Sequence, residues 1–376
     1  VRRFLALLVL PAALGCSQDV RIGCVISASG AAASYGDEVR KGIELALEVE
    51  TESGDLPGPV SLVFRDDATN PEVGVRAFEE LASRERVPFV IGAVSSPVTL
   101  ALGRACERRG IVLLSPTASA PEISEAGDWV FRIHPADGVE AVSMAEFARD
   151  QGLRRVAVIG VEDRTGLRLR DTFADRIAEV RLELAGVAMF HEGNEEELER
   201  AVLAIAALSP EAVYMAAYPR EAAQIARRLH ELGVGARLLG TSALGEEFLR
   251  SAGPAGDGAV FPGSTFEVDD DDPAVSLFVE RYRERYGEDP DSWAAHGYDA
   301  LRIALRAFRD APRFRPEALR DALAAIGDFD GAAGPTAFDA NGDVMRYPRL
   351  RVVRRQEIVP YDRVVAEGGI LAPPGR

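Results

Sequence analysis

Two stretches of the chain hold the residue types best suited to ligand chemistry. Ile91-Gly92-Ala93-Val94-Ser95-Ser96-Pro97 and Leu113-Leu114-Ser115-Pro116-Thr117-Ala118-Ser119-Ala120-Pro121-Glu122 are apolar runs that stop abruptly in small hydroxyl residues. In an open α/β sheet such strand ends face the crevice where ligands sit, and the next helix start offers an anion backbone N–H groups that lack intrahelical acceptors. Together the two stretches read as half of a carboxylate-binding site. Taken singly, their serines also read as helix caps.

Signatures of bond-making chemistry are sparse elsewhere. His134, His191, His230 and His296 are scattered and none belongs to a His-Glu-x-x-His pattern. Gly240-Thr241-Ser242-Ala243-Leu244-Gly245 misses the Gly-x-Ser-x-Gly nucleophile elbow by one residue. The stretch from Gly30 to Gly36 lacks the Gly-Lys-Ser/Thr of a phosphate loop, and Asp269 to Asp272 lacks the interleaved glycine of a calcium loop and reads as a solvated turn capping the next helix. No nucleophile stands with its base, so the chain reads as a binding protein, not an enzyme, with no cofactor and no metal.

Composition sets the frame. At 376 residues, 47% hydrophobic and 27% charged, the chain is long enough for two domains with substantial cores. A net charge of −17 argues against a nucleic-acid partner, which needs a basic patch to displace counterions. Arg2 and Arg3, the apolar run from Phe4 to Ala13, and Ala13-Leu14-Gly15-Cys16 resemble a bacterial lipoprotein signal in which Cys16 is lipidated. That places the mature chain outside the cytoplasmic membrane, tethered by lipid. No later stretch reaches the roughly 18 uninterrupted apolar residues of a membrane helix. Cys24 and Cys106, one expected in a strand and the other mid-helix, are poorly placed for a disulfide and read as buried thiols.

The elements that must position these residues alternate. Strands are expected over 20–27, 60–64, 89–91 and 111–114, with helices over 35–52, 71–83 and 97–109 between them. A second series begins after 130–133, with helices over 139–150, 167–179, 196–207 and 221–232 and strands over 156–159, 187–190, 212–216, 238–239 and 258–261. Such alternation implies two α/β units, each a mostly parallel sheet flanked by helices. Three helices then follow over 275–286, 292–308 and 316–326, and 336–338 with 350–353 reads as a hairpin about the Asp339 to Asp343 turn. Helices without strands of their own must cover a sheet already built, so the chain is expected to cross back to the first unit.

In this order the residues resemble a known family. The series runs Ser34-Tyr35-Gly36 and Lys41-Gly42, Arg65-Asp66-Asp67-Ala68-Thr69-Asn70-Pro71, the two hydroxyl stretches, Phe131-Arg132 to Asp137, Ala294-Ala295-His296-Gly297-Tyr298-Asp299-Ala300, and Gly334-Pro335 to Phe338-Asp339. It is similar to the leucine/isoleucine/valine-binding proteins of ABC importers, over essentially the whole mature chain. The resemblance implies a two-lobed type I periplasmic-binding-protein fold with three hinge crossings, near Pro135, Phe261 to Thr265 and Met345 to Pro348. The lobes would be 20–135 plus 266–345 and 136–265 plus 346–376, after a signal and tether over 1–19. It further implies that Ser96, beside Ser95, and Ser119 hold the ligand carboxylate, that Thr117 offers its carbonyl to an ammonium, and that Tyr35 lines the side-chain pocket. Charge-assisted hydrogen bonds of about 1.5–3 kcal/mol each would together reach micromolar binding, near −8 kcal/mol.

The second lobe departs from that pattern. Thr165 stands where the family usually has tyrosine and Ser242 where it has the glutamate that meets the ligand ammonium, while Tyr218 is retained. A buried ammonium needs a counter-charge, and Asp137 and Glu246 are the nearest candidates along the chain. The family's disulfide positions are occupied by Thr69 and Ser95. The expectation is a monomeric, lipid-anchored solute-binding protein serving an ABC permease, with a branched-chain amino acid as the first ligand reading. A non-amino carboxylic acid or amide, or a sensing lipoprotein on the same fold, stands as the alternative.

Overall fold

A computed structural model describes residues 19–263, 266–345 and 348–368. The first unit opens with β1 (Val20–Ile26), α1 (Ala33–Ser53), β2 (Val60–Asp66) and α2 (Pro71–Glu80). It continues through β3 (Phe89–Gly92), α3 (Ser96–Arg109), β4 (Val112–Ser115) and β5 (Val130–Arg132). These strands form one all-parallel sheet in the order β2-β1-β3-β4-β5. β1 shows why: Val20, Ile22, Cys24 and Ile26 enter the core under α1, while Val25 enters the core on the other face beside Val90 and Leu102.

The second unit alternates α4 (Val139–Asp150), β6 (Arg155–Val161), α5 (Arg164–Glu179), β7 (Glu183–Phe190), α6 (Glu195–Ala207) and β8 (Ala212–Ala216). It ends with α7 (Pro219–Glu231), β9 (Arg237–Leu239), α8 (Glu246–Ala252) and β10 (Val260–Pro262). After these come α9 (Pro273–Tyr286), α10 (Ser292–Asp310), α11 (Pro316–Ala324), β11 (Phe329–Gly331) and β12 (Gly334–Thr336), and finally β13 (Leu350–Arg354), β14 (Glu357–Pro360) and α12 (Tyr361–Ala366). The second sheet has seven strands in the order β14-β13-β10-β9-β8-β6-β7, with β13 and β14 antiparallel.

The chain passes between the sheets three times: after β5, after β10 and before β13. Side chains of α9, α10 and α11 share one core with α1, β1 and β3. The approach of α10 to α1 requires glycine. A Cβ on Gly42 would lie 2.0 Å from the Ala294 carbonyl oxygen, and one on Gly297 would lie 2.2 Å from that of Val39. Local capping sets the helix starts. Asn70 accepts from the N–H groups of Glu72 and Val73 at 2.9 and 3.2 Å, and Asp291 accepts from that of Ala294 at 2.9 Å. The acidic run ends in the same role, Asp272 accepting from the Ala274 N–H at 2.9 Å at the head of α9.

The expected hairpin of 336–338 with 350–353 does not form. β12 pairs with β11, the Asp339 to Asp343 turn closes only a Phe338–Val344 bridge, and β13 lies in the other sheet between β10 and β14. The physical reason is the third crossing, which falls between turn and strand. Cys24 and Cys106 are free and buried, and burial raises both thiols well above their ordinary range. Cys16 lies outside the described residues. Among the described residues no helix is long and apolar enough to cross a membrane.

Candidate functional site

The two hydroxyl stretches follow β3 and β4, neighbouring strands, at the C-terminal edge of the first sheet. They are tied directly to one another. Ser96 Oγ accepts from the backbone N–H groups of Ser119 and Ala120, both at 3.2 Å. Thr117 Oγ1 donates to the Val94 carbonyl and Ser115 Oγ to that of Ala93, both at 2.9 Å, and Ser115 Oγ also accepts from the Ala118 N–H at 3.2 Å. The structure thus brings Ser96, Thr117 and Ser119 into one patch.

The capping alternative for Ser95 is corrected here. Ser95 occupies the residue before α3 with extended backbone, φ −97° and ψ 143°, yet its hydroxyl caps nothing, and Oγ is buried with no hydrogen-bond partner among the described residues. The N–H groups of Ser96 and Val98, in the first turn of α3, have no intrahelical acceptor. A row of amides and hydroxyls at a helix start, with no acid placed on it, suits a carboxylate.

The C-terminal edge of the second sheet is built differently. Asp163, extended before α5, accepts from the Gly166 N–H and from the Tyr218 hydroxyl, both at 2.7 Å. Partial burial works to raise the Asp163 carboxyl, but hydrogen bonds from the Gly166 N–H, the Tyr218 hydroxyl and the Thr165 N–H together hold it below the usual carboxylate range. The same carboxylate, with burial, raises the Tyr218 phenol. Thr165, Tyr218 and Asp163 therefore stand together, Tyr218 with 39% of its surface exposed.

The expected ammonium partners are placed otherwise. Asp137 pairs with Arg168 of α5 at 3.0 Å, and its N–H donates to the Ser119 carbonyl at 2.7 Å, so it links the two edges with its charge already answered. Glu246, at the first position of α8, has a side chain 71% exposed and faces Arg250 of the same helix at 3.9 Å. At Ser242 the neighbour is Glu140, whose Oε2 accepts the Ser242 N–H at 2.7 Å. No sequence motif named above includes Glu140, Asp163 or Arg168. An aspartate directly before a helix was a readable signal for Asp163, whereas Glu140 meets Ser242 only through the fold. Tyr35, in the first turn of α1, is 46% exposed with its ring 4.7 Å from that of Trp293. Among the described residues no group of histidine, cysteine and acidic side chains is gathered as a metal site.

A family model described as periplasmic binding protein matches residues 19–354. The chain belongs to the periplasmic binding protein family. This binding protein is 30% identical over 251 residues to a Leu/Ile/Val-binding protein homolog 3 of Brucella melitensis, covering 65% of this chain and 67% of that one. It is 26% identical over 332 residues to a Leu/Ile/Val-binding protein homolog 1 of the same organism, covering 86% and 87%. A crystal structure from Rhodospirillum rubrum, assigned to a branched-chain amino acid ABC transporter, superposes with a TM-score of 0.83 at 29% identity, covering 91% of this chain and all of the other. The family is one of solute binding, and the two mostly parallel, helix-flanked sheets of this member match the two-lobed architecture of its neighbours.

Proposed function

We propose that this chain is the extracytoplasmic solute-binding protein of an ABC importer and that it captures a small carboxylate-bearing ligand between its two units. The ligand reading is an α-amino acid with an apolar side chain, the class to which the branched-chain amino acids belong. The observation that carries it is the Ser96 hydroxyl seated on the Ser119 and Ala120 amides beside the free first turn of α3. A carboxylate entering there exchanges water for charge-assisted hydrogen bonds from Ser96 and Ser119. Thr117 lies in the same patch, and Tyr35 follows β1 at the same edge of the sheet.

The second unit, 136–265 plus 346–376, closes on the first, 20–135 plus 266–345, by rotation at the three crossings, and the closed form is what a permease meets. Glu140 and Asp163, beside Ser242, Thr165 and Tyr218, supply the negative charge for an ammonium. Cys16 carries the lipid tether, and the chain acts as a monomer. A second reading, a non-amino carboxylic acid, is favoured by Ser242 itself, which is neutral and exposed, and by the pairing of Asp137 with Arg168. The test is calorimetric titration of the Ser96→Ala/Ser119→Ala double variant with a ligand first found by thermal shift among amino acids and their 2-oxo analogues. Loss of binding is expected in a variant that still unfolds cooperatively, with its melting temperature lowered by the lost Ser96 hydrogen bonds, and unchanged affinity would overturn the site.

A further inference from the structure

The edge of the first sheet that carries the hydroxyl patch also carries a row of aromatic rings, led by Tyr35 after β1, the strand beside β3. Tyr35 is held 4.7 Å from Trp293, the rings tilted by 35°, and on Trp293 the imidazole of His134 lies nearly parallel, 6.1 Å away at 11°. His134 in turn lies 5.0 Å from His296, whose Nδ1 sits 2.6 Å from the Ser292 carbonyl at the start of α10. Tyr35 comes from the first turn of α1, Trp293 from the first turn of α10, and His134 follows β5, where the Ile133 N–H donates to the Ser115 carbonyl at 3.1 Å.

The positions are fixed by backbone, because the Gly42 and Gly297 contacts set α1 against α10 before any ligand arrives. Trp293 is partly buried and packs on the core of the first unit, leaving Tyr35 as the open end of the stack. The loop over 28–32, which leads into α1 and Tyr35, holds only Ala, Ser and Gly, and Asp66 pins it through the N–H groups of Ala28 and Ser29 at 2.9 and 3.2 Å. A preset aromatic wall beside a loop of small side chains fits an aromatic guest.

From this geometry we propose that the ligand side chain is aromatic, lying against Tyr35 with Trp293 behind it as a positioning residue. The proposal rests on the carboxylate reading above and adds to it the class of side chain. An aromatic ring meets such a wall in offset or edge-to-face contact, whereas a branched aliphatic side chain covers less of the face. Preorganisation by Trp293 and the glycine contacts removes an ordering cost that a mobile tyrosine would otherwise impose on binding.

Four probes separate this from the carboxylate reading: L-phenylalanine, phenylpyruvate, L-leucine and 4-methyl-2-oxopentanoate, each titrated by calorimetry into the intact protein. The aromatic member of each pair is expected to bind roughly tenfold tighter than its aliphatic counterpart, toward the upper end of what aromatic pairing adds to burial. Trp293→Leu and, separately, Tyr35→Leu are expected to bring that ratio to about one, a readout that general loss of stability does not move. Should Trp293→Leu fail to fold, Tyr35→Leu, at an exposed ring, gives the same answer. Equal or tighter binding of the aliphatic member, or a ratio unchanged in the variants, overturns the aromatic assignment and leaves the carboxylate site standing. If none of the four binds, the carboxylate reading itself falls.

Discussion

The two edges that face each other across the proposed cleft differ in how their polar groups are used. At the first, hydroxyls, amides and carbonyls are bonded to one another across the loops after β3 and β4, Ser96 to Ser119 and Ala120, Thr117 to Val94, Ser115 to Ala93, and the carboxylates Asp66 and Asp67 bond instead to the loop after β1 and to the residues that follow β2. At the second, the groups are carboxylates, Asp163 under Tyr218 and Glu140 under Ser242, with Tyr218 reaching into solvent. On the proposed reading the first edge is a prebuilt surface for one functional group, and the second supplies charge and contact for the rest of the ligand. The resemblance stated from sequence divides in the same way, running through the hydroxyl stretches and departing at Thr165 and Ser242.

Perturbing the first edge at its support should have the largest effect. Arg132 is wholly buried, pairs with Asp343 through Nε at 2.6 Å and Nη2 at 3.0 Å, and donates to the Ala120 carbonyl at 2.7 Å and to Ser124 Oγ at 2.8 Å. Arg132→Met leaves Asp343 without its charge partner and should cost about 3–5 kcal/mol in denaturant unfolding. A loss below about 1 kcal/mol would mean that the loop carrying Ser119 needs no such support.

Next in size is the removal of the hydrogen bond that joins the second edge. Tyr218→Phe should lower stability by about 0.5–1.5 kcal/mol, read by thermal unfolding, and should shift ligand preference more than Ser242→Ala does. Equal preferences for the two variants would place the selecting contact elsewhere.

The smallest effects distinguish the edges by pH. Asp67 at the first edge is fully buried. Burial raises its carboxyl, although Ser27 Oγ and the Thr69 N–H, at 2.7 and 2.8 Å, oppose this. Its folded value lies above its unfolded one, so ionisation disfavours the fold, and stability falls as pH rises through that interval. Asp67→Asn should therefore raise the melting temperature at pH 7, with the gain shrinking under acid conditions. Asp163 has the opposite sign. Held low in the fold, it contributes stability above its unfolded value, near 4, that is lost as pH falls toward the folded one. Asp163→Asn should flatten the acid limb of the melting curve, and a parallel limb in wild type and variant would refute the sign.

What was readable in the sequence follows from distance along the chain. The hydroxyl stretches were legible because an apolar run ending in Ser-Ser or Ser-Pro marks a strand end locally, and the alternating elements because periodicity is local too. Glu140 and Ser242 are 102 positions apart, and nothing near either residue announces their hydrogen bond. Asp137 and Glu246 were ranked by nearness along the chain, which could not reveal Arg168 or Arg250 beside them. β13 was read as half of a hairpin because a good turn preceded it, while its place depends on β10 in the other sheet. The meeting of Tyr35 with Trp293 depends on the glycine contact between α1 and α10, a property of two helices rather than one.

The central claim, that the first edge recognises a carboxylate, is tested most directly by comparing one ligand with its amide. L-phenylalanine against L-phenylalaninamide, and L-leucine against L-leucinamide, can be titrated by calorimetry under identical conditions. Each acid should bind and its amide should lose roughly a hundredfold or more in affinity, because charge-assisted bonds to Ser96, Ser119 and the α3 amides are exchanged for neutral ones. An amide that binds as tightly as its acid would contradict that claim.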